Sequence, residues 1–108
     1  MWWILIMARL AKVVEKIRSK NAGPFWLTVD IFCGDGETYD HVRAVLKTEM
    51  VSDVFDTPTQ MIKRFDMAEL NVIKLSFPRP VVQGSQADRD MHGASFGALL
   101  GDLEIETH

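Results

Sequence analysis

The chain has 108 residues, 47% of them apolar and 25% charged, which suits one domain with one modest core and leaves no room for a second. A formal net charge of −3 and a pI near 5.5 argue against a dedicated nucleic-acid binder, which ordinarily carries a basic stripe. The single cysteine, Cys33, excludes an internal disulfide and points to a reducing, cytoplasmic setting.

Met1 to Met7 is an apolar run without a basic n-region or a small-residue cleavage site. It falls far short of the roughly 20 residues that cross a bilayer, so no membrane partner is expected. It reads as a loosely packed extension over residues 1–7, with Met7 an alternative start, ahead of a single domain over 8–108. An apolar arm that lies on a partner is the other reading.

Leu10, Val13, Val14 and Ile17 recur at the spacing of one buried helix face, which predicts a helix near 8–20. The β-branched Val13–Val14 pair keeps a strand open as the rival. Arg18 and Lys20 would then occupy the last turn, with Gly23 at positive φ and Pro24 as the stop. Phe25 to Cys33 alternates: Phe25, Leu27, Val29, Ile31 and Cys33 take one face, Trp26, Thr28, Asp30 and Phe32 the other. The half-apolar second face predicts a central strand. Asp30 there either pairs with a nearby cation or faces a site.

Gly34-Asp35-Gly36 is a turn in which Asp35 or Gly36 caps a helix running through Lys47, and Thr48 caps a second, shorter one ended by Asp56-Thr57-Pro58-Thr59. Met61 to Met67 and Val72 to Phe77 are two strands, joined as an antiparallel hairpin. Pro78-Arg79-Pro80 ends the second, and Gln83 to Gly101 reads as a long loop before a short closing strand at Leu103-Glu104-Ile105. Mixed strands and helices without a parallel crossover rhythm predict an α+β fold: a small, mainly antiparallel sheet with helices on one face.

Two polar clusters stand out. Arg18, Ser19, Lys20, Asn21 and Gly23 bring donors to a glycine turn, which suits a carboxylate or phosphate oxygen, and Arg79 adds a third cation. The spacing is not that of a P-loop. A basic chain segment followed by a plain stop accounts for the same residues. The second cluster holds Ser85, Asp88, Arg89, Asp90 and His92. Asp88, Asp90 and His92 share a face if extended, which offers an acid–base or substrate-contact group or a divalent-ion site. A loop held by ion pairs to Arg79 or Arg89 is the competing account. No metal is expected to be needed for folding, since these groups are fewer than a closed structural site requires. Cys33 reads as an inert core thiol.

Arg18-Ser19-Lys20-Asn21-Ala22-Gly23-Pro24-Phe25, Leu27-Thr28-Val29-Asp30-Ile31, and Gly84-Ser85 with Asp88-Arg89-Asp90-Met91-His92-Gly93-Ala94 and Leu99-Leu100, in that order, resemble the small bacterial family catalogued as domain of unknown function 4387. The layout is also similar to the small ferredoxin-like domain that ends acyclic terpene utilisation proteins, where an Arg-Ser-Gly-Asp-Lys-Gly turn stands in place of Arg18 to Gly23. Genes of the small family often neighbour those of the larger relatives. The resemblance implies a ferredoxin-like fold and the small subunit of a two-part enzyme, acting on small organic acids or their acyl-CoA thioesters. Joined to the residue reading above, Arg18, Ser19, Lys20, Asn21, Gly23, Arg79, Ser85 and Arg89 would bind an anionic group, while Asp88, Asp90 and His92 would supply proton transfer or fix the cations. The partner would be a larger protein or a further copy, and no cofactor is implied. A non-catalytic interaction domain is the alternative. Relatives usually carry Gly-Ala-Gln-Gln-His after the acidic stretch. This chain has Gly93-Ala94-Ser95-Phe96-Gly97, leaving His92 the only histidine nearby.

Overall fold

The computed structural model describes residues 6–79 and 95–107. Its main element is a four-stranded sheet, β2 (Lys16–Asn21), β3 (Trp26–Phe32), β4 (Lys63–Met67) and β5 (Val72–Pro78), in the order β2-β3-β5-β4 with every neighbour antiparallel. A two-stranded sheet pairs β1 (Met7–Arg9) with β6 (Glu104–Glu106). Between them lie α1 (Leu10–Val13), α2 (Gly36–Val45), α3 (Thr48–Phe55) and α4 (Ser95–Gly101). The fold is α+β, as the sequence predicted, and its open-faced layering fits a small ferredoxin-like description.

Alternation decides which face is the core. Leu27, Val29 and Ile31 of β3 and Ile73, Leu75 and Phe77 of β5 are fully buried beneath Val42 and Leu46 of the α2 segment, Val51 of α3 and Leu100 of α4. Each fully buried aliphatic of this kind contributes about 1.5–3 kcal/mol relative to exposure. Phe55 of α3 stacks on Phe77 at 4.7 Å, and Phe96 of α4 meets Phe55 at 5.9 Å. Met7 and Ile6, placed in the extension by the sequence, are tied to the domain: Met7 pairs with Glu106, and Thr107 donates its N–H to the Ile6 carbonyl.

The helix predicted near 8–20 is not there. Leu10–Val13 makes one helical turn, Val14 turns extended, and Lys16–Asn21 is strand β2. Leu10 and Val14 are still buried and Val13 and Ile17 partly so, so the apolar spacing was satisfied by a turn and a strand in succession. The signal that favoured the strand is the period-2 pattern of Lys16, Arg18 and Lys20 outward against Ile17, Ser19 and Asn21 inward. Gly23 does have positive φ, +80°, but closes the β2–β3 hairpin rather than a helix. The 83–101 loop is also corrected at its end, where 95–101 is helical.

Other expectations hold. Asp35 caps α2, accepting the Thr38 N–H at 2.7 Å. β4 and β5 form the predicted hairpin, turned by Asn71 at φ +55°. The Thr48 cap is corrected by one residue: Lys47 is the N-cap of α3, and Thr48 is already helical.

Candidate functional site

Because Arg18 to Asn21 is a strand, its residues divide between the two sides of the sheet. On the helix side, Ser19 accepts the Gly97 N–H of α4 at 2.8 Å. Asn21 lies half-buried on the same side, opposite Leu27 and Phe77 in register. Arg79 follows in phase with Leu75 and Phe77. It is 8% exposed, donates its backbone N–H to the Phe25 carbonyl, and holds its guanidinium over the Phe96 ring at 5.8 Å. Ser19 and Arg79 thus join the sheet end to α4.

On the opposite side Arg18 and Lys20 are exposed. With Ser19, Asp30 and Phe32 they line a hollow of about 220 Å³. The register sets three rows across this open face: Lys16, Phe32, Val72 and Met67; Arg18, Asp30, Lys74 and Phe65; Lys20, Thr28, Ser76 and Lys63. The Lys16 ammonium sits over the Phe32 ring at 4.9 Å, and that of Lys63 over Trp26 at 5.3 Å. A second hollow, of about 590 Å³, lies at the far edge beside Phe65, Met67 and Lys74. Among the described residues the ion pairs within 4.0 Å are Arg9–Asp102 and Arg64–Asp66, so Arg18 and Lys20 are free of a carboxylate partner.

The three cations proposed from sequence to meet one anion therefore do not converge: Arg79 is buried on the helix side, Arg18 and Lys20 stand on the open side. Gly23 serves the hairpin turn. Ser85, Asp88, Arg89, Asp90 and His92 lie outside the described residues. Sequence reading missed Lys16, Phe32 and Lys74 as neighbours of Arg18. The period-2 spacing of Lys16, Arg18 and Lys20 was the signal that could have found the first.

Cys33 is buried, and burial, with the Asp35 charge second, pushes its thiol up to about 11, which makes it inert at neutral pH. Among the described residues no cluster of three or more His, Cys, Asp or Glu could hold a metal ion, and no helix is long and apolar enough to cross a membrane.

Among the described residues, the architecture is an α+β one: an antiparallel sheet with helices on one side and a basic, aromatic-bearing face on the other. The chain belongs to the family described as domain of unknown function (DUF4387), which matches residues 10–104. No curated protein and no solved structure gives a match.

Proposed function

We propose that the chain is the ligand-binding, accessory subunit of a two-part enzyme acting on small organic acids or their acyl-CoA thioesters, with an acyclic terpene utilisation-like protein as the larger partner. The observation that supports it most is the hollow in which Arg18 and Lys20, without a carboxylate within ion-pair distance among the described residues, stand beside Phe32 and Asp30, on a chain whose net charge is −3. A local positive hollow on a negative body selects a compact anion at short range. A guanidinium adds the planar fork that grips a carboxylate or phosphate with two hydrogen bonds. On sequence grounds Asp88, Asp90 and His92 belong to the reading as proton-handling groups, with Ser85 and Arg89 as further anion contacts.

The interaction-domain alternative draws on a different observation. Ser19 and Arg79 serve the fold, holding α4 against the sheet, so part of the motif needs no ligand to explain it.

The test is calorimetry on the chain mixed with an acyclic terpene utilisation-like protein from the same source, titrated with small carboxylates and with acyl-CoA. Binding that weakens in Arg18→Lys at unchanged Tm supports the reading. A complex that forms yet binds neither ligand favours the interaction domain, and the absence of both complex and binding contradicts the proposal.

A further inference from the structure

Among the described residues, charge is segregated on this molecule. The open sheet face carries Lys16, Arg18, Lys20, Lys63 and Lys74 against one carboxylate, Asp30. The acidic side chains gather elsewhere, on α2, α3, β6 and their flanks: Glu37, Asp40, Glu49, Asp53, Glu104 and Glu106 among them. The face is also graded across its width. Its β2 edge is cationic, with a half-buried aromatic, Phe32, on the neighbouring strand β3. Its β4 edge is mixed, with Phe65 50% exposed between Met67 and the cationic Lys63. Three strand spacings of about 4.8 Å put these edges roughly 14 Å apart.

We infer that this open face binds coenzyme A, with the phosphorylated adenosine in the Arg18–Lys20–Phe32 hollow and the pantetheine arm crossing the Asp30–Lys74 row toward Phe65 and Met67. The inference rests on the acyl-CoA side of the function proposed above. The chemistry matches part by part. Phosphates ask for cations without a carboxylate in ion-pair contact, which among the described residues Arg18 and Lys20 are. A base asks for an aromatic face, which the Phe32 ring supplies once the flexible Lys16 side chain, whose ammonium sits over it at 4.9 Å, swings aside toward a phosphate. Ribose or exocyclic N–H groups ask for an acceptor, and Asp30 is the carboxylate in that hollow. The arm is mostly methylene and amide, and the second hollow of about 590 Å³ opens in line with it, where Phe65 and Met67 offer apolar surface and Lys74 and the Arg64–Asp66 ion pair offer polar partners for the amides. A second copy of the chain is a poorer occupant, because two such faces would meet with like charge. The hollow is small, about 220 Å³, so the affinity expected is modest and falls with salt.

The experiment titrates the full chain with coenzyme A, adenosine 3′,5′-bisphosphate, inorganic phosphate and a short single-stranded oligonucleotide, by calorimetry and by chemical-shift perturbation. Coenzyme A is expected to bind more tightly than adenosine 3′,5′-bisphosphate, and both far more tightly than phosphate. Lys20→Glu should weaken both nucleotides by at least about tenfold, since the exposed side chain is a direct phosphate contact. Phe32→Leu should weaken both about 5- to 100-fold through lost stacking. Phe65→Ser should weaken coenzyme A alone. Lys20→Glu, at an exposed position, keeps the test decisive if Phe32→Leu fails to fold. Phosphate binding as tight as coenzyme A, insensitivity to Lys20→Glu, or preference for the oligonucleotide would each overturn the inference. A chain that binds coenzyme A but never associates with the larger protein sinks the subunit reading alone. An assembled enzyme that binds free acids while its small subunit ignores coenzyme A sinks this inference alone.

Discussion

The Gly97 N–H donates to Ser19 Oγ at 2.8 Å, joining α4 to β2 across 78 residues of sequence. A Cβ built on Gly97 would lie 3.1 Å from that same hydroxyl, and one on Gly101, a turn later, 3.0 Å from the Ala11 side chain. Two glycines thus let α4 press against β2 and α1. Ser19→Ala leaves the Gly97 N–H without its partner, and Gly97→Ala crowds the hydroxyl. Each should cost about 1–3 kcal/mol in urea unfolding. The double variant should cost less than the sum, because removing Oγ also makes room for the new methyl. Strict additivity would mean that the two residues are not coupled.

Gly23 tests backbone conformation in isolation. Its φ is +80° and nothing lies within 4 Å of a Cβ placed there. Gly23→Ala should therefore lose about 1–2 kcal/mol from the left-handed conformation, with no steric share. Gly23→Asn should lose less, since asparagine tolerates that region. Equal losses in urea unfolding would point to a contact instead.

Cys33 should resist thiol reagents at neutral pH until the chain unfolds, because its thiol is pushed from 9.0 up to about 11, chiefly by burial. The folded state then holds its proton to higher pH than the unfolded state. The associated stability is complete below the unfolded value of 9.0 and declines as pH rises toward about 11. Cys33→Ala should flatten that decline in unfolding experiments taken across the alkaline range, and an unchanged slope would assign it to other groups.

Asp35 titrates in the opposite sense. The Thr38 N–H bonded to it holds its carboxyl below the usual range, so capping stabilises α2 at neutral pH. That contribution is present above the unfolded carboxylate pKa and lost as pH falls through the lowered folded value. Asp35→Ala should lower Tm at pH 7, and the gap from the unaltered protein should close in acid. A gap that persists in acid would rule out the charged cap as its source.

Much of this fold was legible because its strands are self-announcing. Phe25 to Cys33 alternates, and Asp66 to Asn71 offers a hairpin turn. Asp35 stands where an N-cap must. The failures were local ambiguities that tertiary context resolved. Leu10, Val13, Val14 and Ile17 fit helical spacing, yet β3 offered Lys16–Asn21 a full set of ladder partners, and that outweighed a short helix with two β-branched residues. Ser95 to Gly101 looked like loop because glycines disfavour helices. Only the packed structure shows that Gly97 and Gly101 are there to let α4 approach. Misreading Lys16–Asn21 as helix also misplaced the site: a helix end gathers Arg18, Ser19 and Lys20 into one corner, whereas a strand sends them to opposite faces.

That division is the central claim, and one paired measurement tests it. Affinity for coenzyme A and Tm should be determined together for Arg18→Lys and for Ser19→Ala. The account predicts opposite outcomes: Arg18→Lys loses affinity at unchanged Tm, and Ser19→Ala loses Tm while the affinity of the folded fraction is kept. If both variants lose affinity and stability in parallel, the two residues act as one unit, and the separation into a binding face and a structural face is contradicted.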